Sequence, residues 1–405
     1  MKKLFCIFIV TLLSAPLFPV HAGESLFGVT NNSIGLVQHP YASAGKARSY
    51  EVAHMDSLML NYRNFASWTD IAYTIFSIRT GYSGALSDTK EKSTYIDNAN
   101  FQGGILAFPI YKKHLVFGFG VLPYTFINQR IEDEYTLTDE DIDVFQSLVM
   151  KGGLSRAMAN FSVKLISGYR LGIGYEYTFG NITQNLVKEL RENTTSSILV
   201  DYDYRYAGNG VVISAMGNPL DNWALGLVFR PSVKLNSKRV IDSASEELNR
   251  EVEGDLTLPA EFSLGLEYTF SSAYIAGLEF MYQDWKNGFK RNGSRDPSQE
   301  LLYRIGGGIE RKPSKRLFVD LAQRIAYRLG FFYGQLNYQS GNEPVNEYGL
   351  SMGISLPIQR FQSGIDFAAV VGRRGSLSQN GLEETFISFD VTINASEIWF
   401  RNRED

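Results

Sequence analysis

Cysteine is nearly absent from this chain, and its only example, Cys6, lies in an apolar run at the N-terminus. The residues after that run can therefore form neither a disulfide nor a thiolate metal site. The chain has four histidines, and none beyond the N-terminal run is spaced like a pair of zinc ligands. A nucleophile elbow, a phosphate-binding loop and a dinucleotide fingerprint are all missing. These absences predict no metal, no cofactor and no enzyme activity.

A strong charge imbalance and long apolar stretches are missing too. The formal net charge is −4 without any long basic run, so nothing suggests a nucleic-acid partner. After the N-terminus, no stretch approaches the ~20 apolar residues of a transmembrane helix. The rest of the chain is therefore either soluble or crosses a membrane as β-strands, whose signal per segment is much weaker.

The first 22 residues have the features of a secretory signal peptide. Lys2 and Lys3 form a positive start, an apolar run of about 15 residues follows, and Val20-His21-Ala22 resembles a cleavage site. We expect the mature chain to begin near Gly23. A retained N-terminal anchor is the alternative.

Aromatic residues, glycine and period-2 alternation are abundant. In Tyr169–Phe179, Glu261–Phe270 and Tyr348–Leu356, apolar residues alternate with Gly, Ser, Thr and charged residues. The stretch 387–396 near the C-terminus shows the same pattern. The strands of a soluble β-sandwich also alternate between apolar and polar residues, but a polar face of small and charged residues suits the lumen of a barrel. Short connectors also alternate with long polar ones at about 131–152, 184–195 and 239–255, which is typical of outer-membrane barrels.

These patterns predict an all-β protein, a transmembrane antiparallel β-barrel of about 14 strands, in the outer membrane of a Gram-negative-type bacterium. The last strand should pair with the first, near Ile71–Gly84, to remove both sheet edges. The predicted organisation is a signal peptide at 1–22, an N-terminal plug or hatch at 23–68, the barrel at 69–400 and a charged C-terminal tail at 401–405.

Two of the long connectors predict short helices in extracellular loops. Thr138–Asp141 resembles a helix start, and Ile142, Phe145 and Leu148 then recur at helical spacing. Residues 182–190 show a similar stripe. Such apolar faces either pack on the barrel rim or form a capture surface for an apolar ligand. Ile142, Phe145 and Leu148 are the predicted capture residues.

Three stretches resemble the FadL-type outer-membrane transporters of long-chain fatty acids and other hydrophobic molecules. They are ASAGKARSYEVAHMDSLMLNYRNFASW near the N-terminus, DLTLPAEFSLGLEYTF in the middle, and AYRLGFFYGQLNY with the strands after it. The resemblance implies a fourteen-stranded barrel with an N-terminal hatch, for which Asn64, Phe65 and Trp68 are the predicted hatch residues. The family's Asn-Pro-Ala is Asn64-Phe65-Ala66 here, and Phe does not fix φ as Pro does.

The same resemblance implies a kink in the third strand that opens a lateral way into the membrane. In this sequence the corresponding strand contains FGFGVLPYTF. Gly118, Gly120 and Pro123 would weaken a strand ladder, because glycine marks bulges and proline lacks an N–H donor. They are the predicted gate, and a local adjustment at the rim or a turn is the alternative.

The favoured function is passive uptake of hydrophobic molecules such as long-chain fatty acids. The expected partners are outer-membrane lipids, hydrophobic small molecules and, through the C-terminal strand, the barrel-insertion machinery. We expect a monomer. The alternatives are a scaffold or shuttle barrel for secreted proteins, and a general porin. A continuous apolar tunnel to the hatch would favour uptake, whereas a filled lumen beneath ordered loops would favour the scaffold.

Overall fold

Fourteen antiparallel strands form a closed barrel in the computed structural model of the protein, which confirms the predicted fold class. The structure describes residues 21–22, 25–27, 33–111, 114–137, 142–166, 168–191, 195–243, 250–314, 319–358 and 363–397. In chain order, the wall strands β1–β14 span Thr74–Thr89, Ser93–Tyr111, Leu115–Pro123 with Thr125–Leu137, Ile142–Ile166, Tyr169–Arg191, Thr195–Gly217, Trp223–Arg230 with Val233–Ser243, Arg250–Leu258 with Glu261–Thr269, Tyr274–Asp284, Leu301–Arg311, Ala326–Ser340, Glu343–Ile358, Ser363–Ser376 and Leu382–Glu397.

The barrel closes where β14 pairs with β1, as predicted. The pairing runs from Leu382 opposite Thr89 to Glu397 opposite Thr74. Phe389 on β14 is exposed on the outer face of the wall, whereas Asp390 and Thr392 are buried inside. The period-2 alternation therefore separates a lipid-facing side from a lumen-facing side. The aromatic pair that follows this strand in the sequence, Trp399 and Phe400, and the tail 401–405 lie outside the described residues.

Prolines divide three of the wall strands into two segments each. The breaks follow Pro123 in β3 and include Pro231 in β7 and Pro259 in β8. Proline cannot donate to a strand ladder, so it ends the regular pairing at these positions. Beyond the breaks, the segments of β3–β8 distant from the short turns continue as one sheet, in the order β3, β4, β5, β6, β7, β8. We call these segments the outer sheet.

The outer sheet overturns two expectations about the connectors. Most of 131–152, 184–195 and 239–255 is strand rather than loop. The helices predicted at 142–149 and 182–190 are wrong, because these residues belong to β4 and β5. Their apolar stripes are instead cross-strand pairs, with Val144 opposite Leu190 and Leu148 opposite Leu186. Tertiary pairing outweighed a weak local signal.

Short helices do occur, but elsewhere. They span Ser43–Arg48, Trp285–Gly288, Leu321–Arg324 and Leu377–Asn380, and a 3₁₀ helix spans Phe65–Asp70. No helix within the described ranges is long and apolar enough to cross a membrane.

Residues 33–73, which we call the plug, are packed inside the barrel. Their apolar side chains share a core with inward-facing residues of the wall, and this core contains Val52, Leu60, Tyr62, Phe65, Trp68, Ile105, Val116, Met158, Val212 and Val228. The wall residues come from β2, β3, β4, β6 and β7, so the plug contacts many sides of the lumen. Residues 23–68 as a separate domain remain a prediction.

Candidate functional site: the filled lumen

The plug backbone lies directly against a row of inward-facing wall glycines. A Cβ atom at Gly226 would lie 2.1 Å from the carbonyl oxygen of Val52, and one at Gly306 would lie 2.0 Å from that of Ser49. No side chain fits at such distances without displacing the backbone. We call the whole row the glycine track, and it consists of Gly226, Gly265, Gly306, Gly308, Gly330 and Gly353, which face plug residues between Ala47 and Ala53. The wall is therefore shaped to this segment of the plug.

Arg48 of the plug is held by charged groups of the wall at this track. Its guanidinium forms a buried ion pair with Glu310 of β10 and donates to His54 at 3.2 Å. Glu310 also accepts from Arg328 of β11 at 2.8 Å. Both arginines are almost completely buried. Removing one partner from such a network leaves an uncompensated buried charge, which is strongly destabilising.

Arg63 forms a second anchor further along the plug. Its guanidinium lies 3.3 Å from Glu261 of β8 and 3.5 Å from Glu279 of β9, and it donates to Ser263 at 2.7 Å. Glu261 also pairs with Arg230 at 3.0 Å. These contacts connect the plug to neighbouring strands of the wall. They extend the anchoring beyond the glycine track.

Glu279 also binds the plug backbone. Its carboxylate accepts from the backbone N–H groups of Glu51 at 2.7 Å and Val52 at 2.8 Å, and from the Tyr41 hydroxyl at 2.7 Å. Charge-assisted hydrogen bonds of this kind are stronger than neutral ones. The plug segment on the glycine track is thus fixed by steric fit and by direct hydrogen bonds.

The three predicted hatch residues lie together at the 3₁₀ helix and are buried. The Asn64 side chain accepts from the Ala66 N–H at 3.0 Å and donates to the Val52 carbonyl at 2.8 Å and to the Ala215 carbonyl of β6 at 3.1 Å. Phe65 and Trp68 meet edge to face at 4.9 Å. Asn64 thus fixes this turn and attaches it to the wall, although Phe65 stands where the family that the sequence resembles has a proline. A role in hatch movement stays a prediction.

Sequence reasoning missed the charged residues that hold the plug. Glu261, Glu279 and Glu310 each occupy the polar face of a wall strand, where they resemble any lumen-facing charge. Their partners Arg48 and Arg63 lie in a segment without clear periodicity. The available sequence signal for these residues was a glutamate on the polar face of each of several adjacent strands. Buried carboxylates of this kind are costly unless cations pair with them.

The burial of Glu51 is expected to make the plug sensitive to pH. Burial raises the pKa of its carboxyl from 4.5 to about 8, while the N–H groups of Ala42 and Tyr62 donate to its oxygens. Because the folded pKa is raised, this contribution to plug stability is fully present below about pH 4.5 and is lost as the pH rises through about 8. We expect proteolysis of the plug to accelerate over this window. Glu51→Gln, which imitates the protonated form, should abolish that dependence, and an unchanged pH profile in this variant would contradict the assignment.

The predicted gate residues occupy three different environments. A Cβ at Gly118 would lie 2.4 Å from the Trp68 ring, so this glycine makes room for the plug. A Cβ at Gly120 would meet the Gly104 carbonyl of β2 at 2.4 Å. Pro123 ends the first segment of β3. A shared gating role for these residues remains a proposal.

The wall is interrupted beside Pro123. The pairing of β2 with β3 extends from Tyr111 only to Gly104. Beyond Gly104, β2 has no described strand partner on that side except His21–Ala22. The plug residues Leu36–Val37 pair with Phe126 and Thr125 of β3 at this break. Plug backbone therefore borders the interruption.

An apolar core lies across the lumen at the end that carries the outer sheet. Tyr124 of β3 stacks at 6.5 Å on Trp285, which follows β9. These strands are six apart in a wall of fourteen, so the contact spans the lumen. The Arg156 guanidinium lies 3.6 Å from the Tyr124 ring centroid. We call this cluster the canopy core, and it contains Ile34, Tyr124, Ile127, Leu148, Met150, Leu154, Ile182, Tyr204, Tyr206, Leu235, Leu256, Leu258, Met281, Trp285, Phe289 and Leu302.

The predicted capture surface is not formed as a single face. Leu148 is buried in the canopy core. Phe145 lies on the opposite face of β4, because side chains three residues apart in a strand point to different sides. Ile142 begins β4, and its side chain lies outside the described part of the structure. The spacing that suggested one helical face therefore has no such meaning here.

Trp285 is the side chain whose removal should affect the canopy core most. It is fully buried, stacks with Phe289 at 5.3 Å and donates from Nε1 to Gln283 at 2.7 Å. We expect Trp285→Ala to cost about 3–5 kcal/mol through loss of packing. Hydrogen exchange should then accelerate in the outer sheet. Trp223→Ala, on the wall surface at the start of β7, is the matched control and should leave this exchange unchanged.

No group of three or more His, Cys, Asp or Glu side chains in the described part of the chain is arranged to hold a metal ion. A lumen cavity of about 140 Å³ lies beside the plug, and its lining includes many charged and polar side chains. A larger apolar groove, of about 510 Å³, lies on the lipid-facing side of the wall, where Leu278, Ile309 and Phe331 line it. The arrangement is that of a barrel filled by its own chain.

Comparisons with known proteins agree with this fold. A family model described as BamG matches residues 24–404. The chain is similar to the crystal structure of a Pseudomonas aeruginosa FadL homologue, with a TM-score of 0.59 and 14% identity over 89% of this chain and 99% of that one. It is also similar to the Ralstonia pickettii toluene transporter TbuX, with a TM-score of 0.58 and 13% identity over 91% and 100% of the two chains.

Among curated proteins, the chain is similar to the phosphoglucosamine mutase of Acinetobacter baumannii strain ACICU. The identity is 27% over 176 residues, which are 42% of this chain and 37% of the mutase. The chain thus spans little more than a third of the length of this curated relative. At such low identity, the two solved structures establish the fold alone.

Proposed function

The chain belongs to the BamG family, and from its filled lumen we propose that it is a membrane-embedded scaffold for the assembly or anchoring of other outer-membrane or secreted proteins. The family points to a relation with the barrel-assembly machinery, which is the partner class we propose. Outer-membrane lipids would surround the wall, since its outer face carries exposed apolar side chains.

The observation that carries the proposal is the way in which the lumen is filled. The glycine track and the ion pairs of Arg48 and Arg63 fix the plug to the wall. The Tyr124–Trp285 contact spans the space above it. A conduit needs a continuous path, and one that passed along the glycine track would have to break buried charge pairs and remove plug backbone from a fitted surface. A scaffold gains from the same features, because they make the barrel and its outer sheet rigid.

Site-specific photo-crosslinking in native membranes tests this proposal. A crosslinking residue at Leu199 would probe the outer sheet, and one at Phe331 would probe the lipid-facing wall, since both side chains are exposed. Val52, fully buried in the lumen, is the matched control. We expect discrete protein adducts, identified by mass spectrometry as components of the barrel-assembly machinery, from at least one exposed position and none from Val52. Adducts with lipid alone at both exposed positions would contradict the proposal.

A second candidate, uptake of hydrophobic molecules, is favoured by the interrupted pairing between β2 and β3. A Pseudomonas aeruginosa FadL homologue and a toluene transporter share the fold. For this chain, long-chain fatty acids or aromatic hydrocarbons would be the ligands. Mass spectrometry of lipids that co-purify in detergent distinguishes the candidates. A stoichiometric apolar ligand that Pro123→Ala changes in amount would favour uptake, whereas its absence would count against it.

A further inference from the structure

The apolar groove on the lipid-facing side of the wall follows from the register of its strands. One cross-strand row of outward-facing residues runs from Trp223 of β7 through Tyr268, Ala276 and Ile309 to Leu329 of β11. All of them line the groove, whose volume is about 510 Å³. This volume lies within the roughly 300–1,000 Å³ that is usual for small-molecule sites.

A second row, one step further from the short turns, forms the other side of the groove. It runs from Leu266 through Leu278 and Gly307 to Phe331 and Leu350. The leucines and Phe331 are exposed on the outer face. Each row thus contains one small residue, Ala276 or Gly307, among large apolar ones. The large side chains enclose an apolar space that suits a hydrocarbon chain.

A charged row borders the groove on the side of the short turns. Arg311, the last residue of β10, lies two residues beyond Ile309 and therefore on the same face, about 6.8 Å away along the strand. It pairs across the strands with Tyr274 of β9 and Tyr327 of β11, and both tyrosines are exposed. Arg311 thus lies at the end of the wall, at the level where tyrosines mark the border between hydrocarbon and headgroups.

Arg311 forms no ion pair with a carboxylate in the described part of the chain. Its guanidinium donates to the Ala322 carbonyl at 3.2 Å and lies 5.6 Å from the centroid of the Tyr327 ring. Arg373, on the same outer face near the other end of the wall, is by contrast paired with Glu383 at 3.2 Å. A positive charge beside an apolar, lipid-facing surface is costly unless an anion meets it.

We propose that Arg311 and the groove together bind one phospholipid molecule. The phosphate accepts from the Arg311 guanidinium, and one acyl chain lies in the groove over Ala276. Charge complementarity favours a lipid over a protein as the occupant. A protein partner would have to bring a carboxylate to the edge of the hydrocarbon, whereas every phospholipid carries a phosphate at this depth. The site does not depend on the scaffold function, and its failure would leave that proposal unaffected.

Native mass spectrometry of the delipidated, detergent-purified chain, titrated with phosphatidylglycerol, tests the site. We expect one molecule to bind saturably, and Arg311→Gln to weaken its binding by about tenfold or more, because a charge-assisted hydrogen bond is lost. Diacylglycerol with the same acyl chains lacks the phosphate and should bind the wild type more weakly by a similar factor. Arg373→Gln is the matched control, since it removes another arginine of the outer face, and should bind phosphatidylglycerol as the wild type does.

Ala276→Phe tests the groove itself. A phenyl ring at this outward-facing position fills the space but remains in contact with lipid, so the barrel should fold and bind phosphatidylglycerol about tenfold more weakly. Ile393→Phe, at an exposed position on β14, is the matched control and should leave the binding unchanged.

Arg311→Lys protects the test against misfolding. It keeps the charge but loses the planar fork, so it should fold and bind phosphatidylglycerol with an affinity between those of the wild type and Arg311→Gln. Heat-modifiable gel mobility shows whether each variant is folded. Equal binding of phosphatidylglycerol to all variants, or equal binding of both lipids to the wild type, would overturn the proposal. A dimer of the chain, or a co-purifying protein that Ala276→Phe releases, would assign the groove to a protein and overturn it as well.

Discussion

Gly306→Val is expected to displace the plug from the barrel wall. The Cβ atom alone would lie 2.0 Å from the Ser49 carbonyl oxygen, so the plug backbone must move. We expect a loss of about 3 kcal/mol in unfolding free energy, at the upper end of the usual cost of overpacking. Limited proteolysis should then cut within the plug at much lower protease concentrations. Gly308→Val should act alike, since its Cβ would lie 2.3 Å from the Arg48 carbonyl oxygen.

The residue between these two glycines provides the control. A Cβ at Gly307 meets the ends of the Leu278 and Phe331 side chains on the opposite, lipid-facing side of the same strand. Flexible side chains in lipid can move at low cost, so Gly307→Val should change stability by less than about 1 kcal/mol. Equal effects at all three positions would show that β-strand geometry, rather than contact with the plug, explains the loss.

Glu261→Gln should produce the second large effect. It removes a buried negative charge that is shared by Arg63, Arg230 and, at 3.7 Å, Arg156. Arg63 keeps Glu279, and Arg230 keeps Glu176. Breaking a buried pair in this way costs about 3–5 kcal/mol, and the remaining partners favour the lower value. Urea unfolding, followed by heat-modifiable gel mobility, measures the change.

The exposed pair of Lys238 with Glu251 in the outer sheet is the matched control. Glu251→Gln should cost no more than about 1 kcal/mol, as for other surface pairs. A similar loss in both variants would mean that the lumen network contributes no more than a surface ion pair does.

The barrel could be predicted from the sequence because each wall strand carries its own alternation. The stretch 387–396 specifies two faces without reference to any other part of the chain. Closure then follows from an even strand number and the need to remove edges. The predicted seam between β14 and β1 is confirmed for this reason.

The outer sheet was missed for a reason that is equally physical. The apolar stripes in 142–149 and 182–190 fit helical spacing, and only their mutual pairing makes them strands. Pro231 and Pro259 were visible in the sequence and mark where the regular pairing of β7 and β8 with their partner strands is interrupted. Without knowledge of those partners, a proline between two alternating runs looks like a loop.

The lumen contacts show the limit of reading one sequence. Asn64, Phe65 and Trp68 lie in the plug, where Asn64 donates to the wall and the two rings pack together, and their role in hatch movement stays a prediction. In the sequence, the glycines of the glycine track could be recognised only as small residues on the polar faces of the strands. Which of those glycines meets plug backbone depends on how two segments hundreds of residues apart are positioned, and that is a tertiary property.

A disulfide between plug and wall gives the most direct test that the plug is a fixed part of a closed scaffold. The Ser49 and Ser351 hydroxyl oxygens lie 2.8 Å apart, so cysteines at both positions can bridge the plug to β12. The chain's own Cys6 lies in the predicted signal peptide. The oxidised Ser49→Cys, Ser351→Cys protein is predicted to form the same crosslinked partner adducts from Leu199 and Phe331 as the reduced protein. Loss of those adducts on oxidation, with recovery on reduction, would contradict a fixed plug.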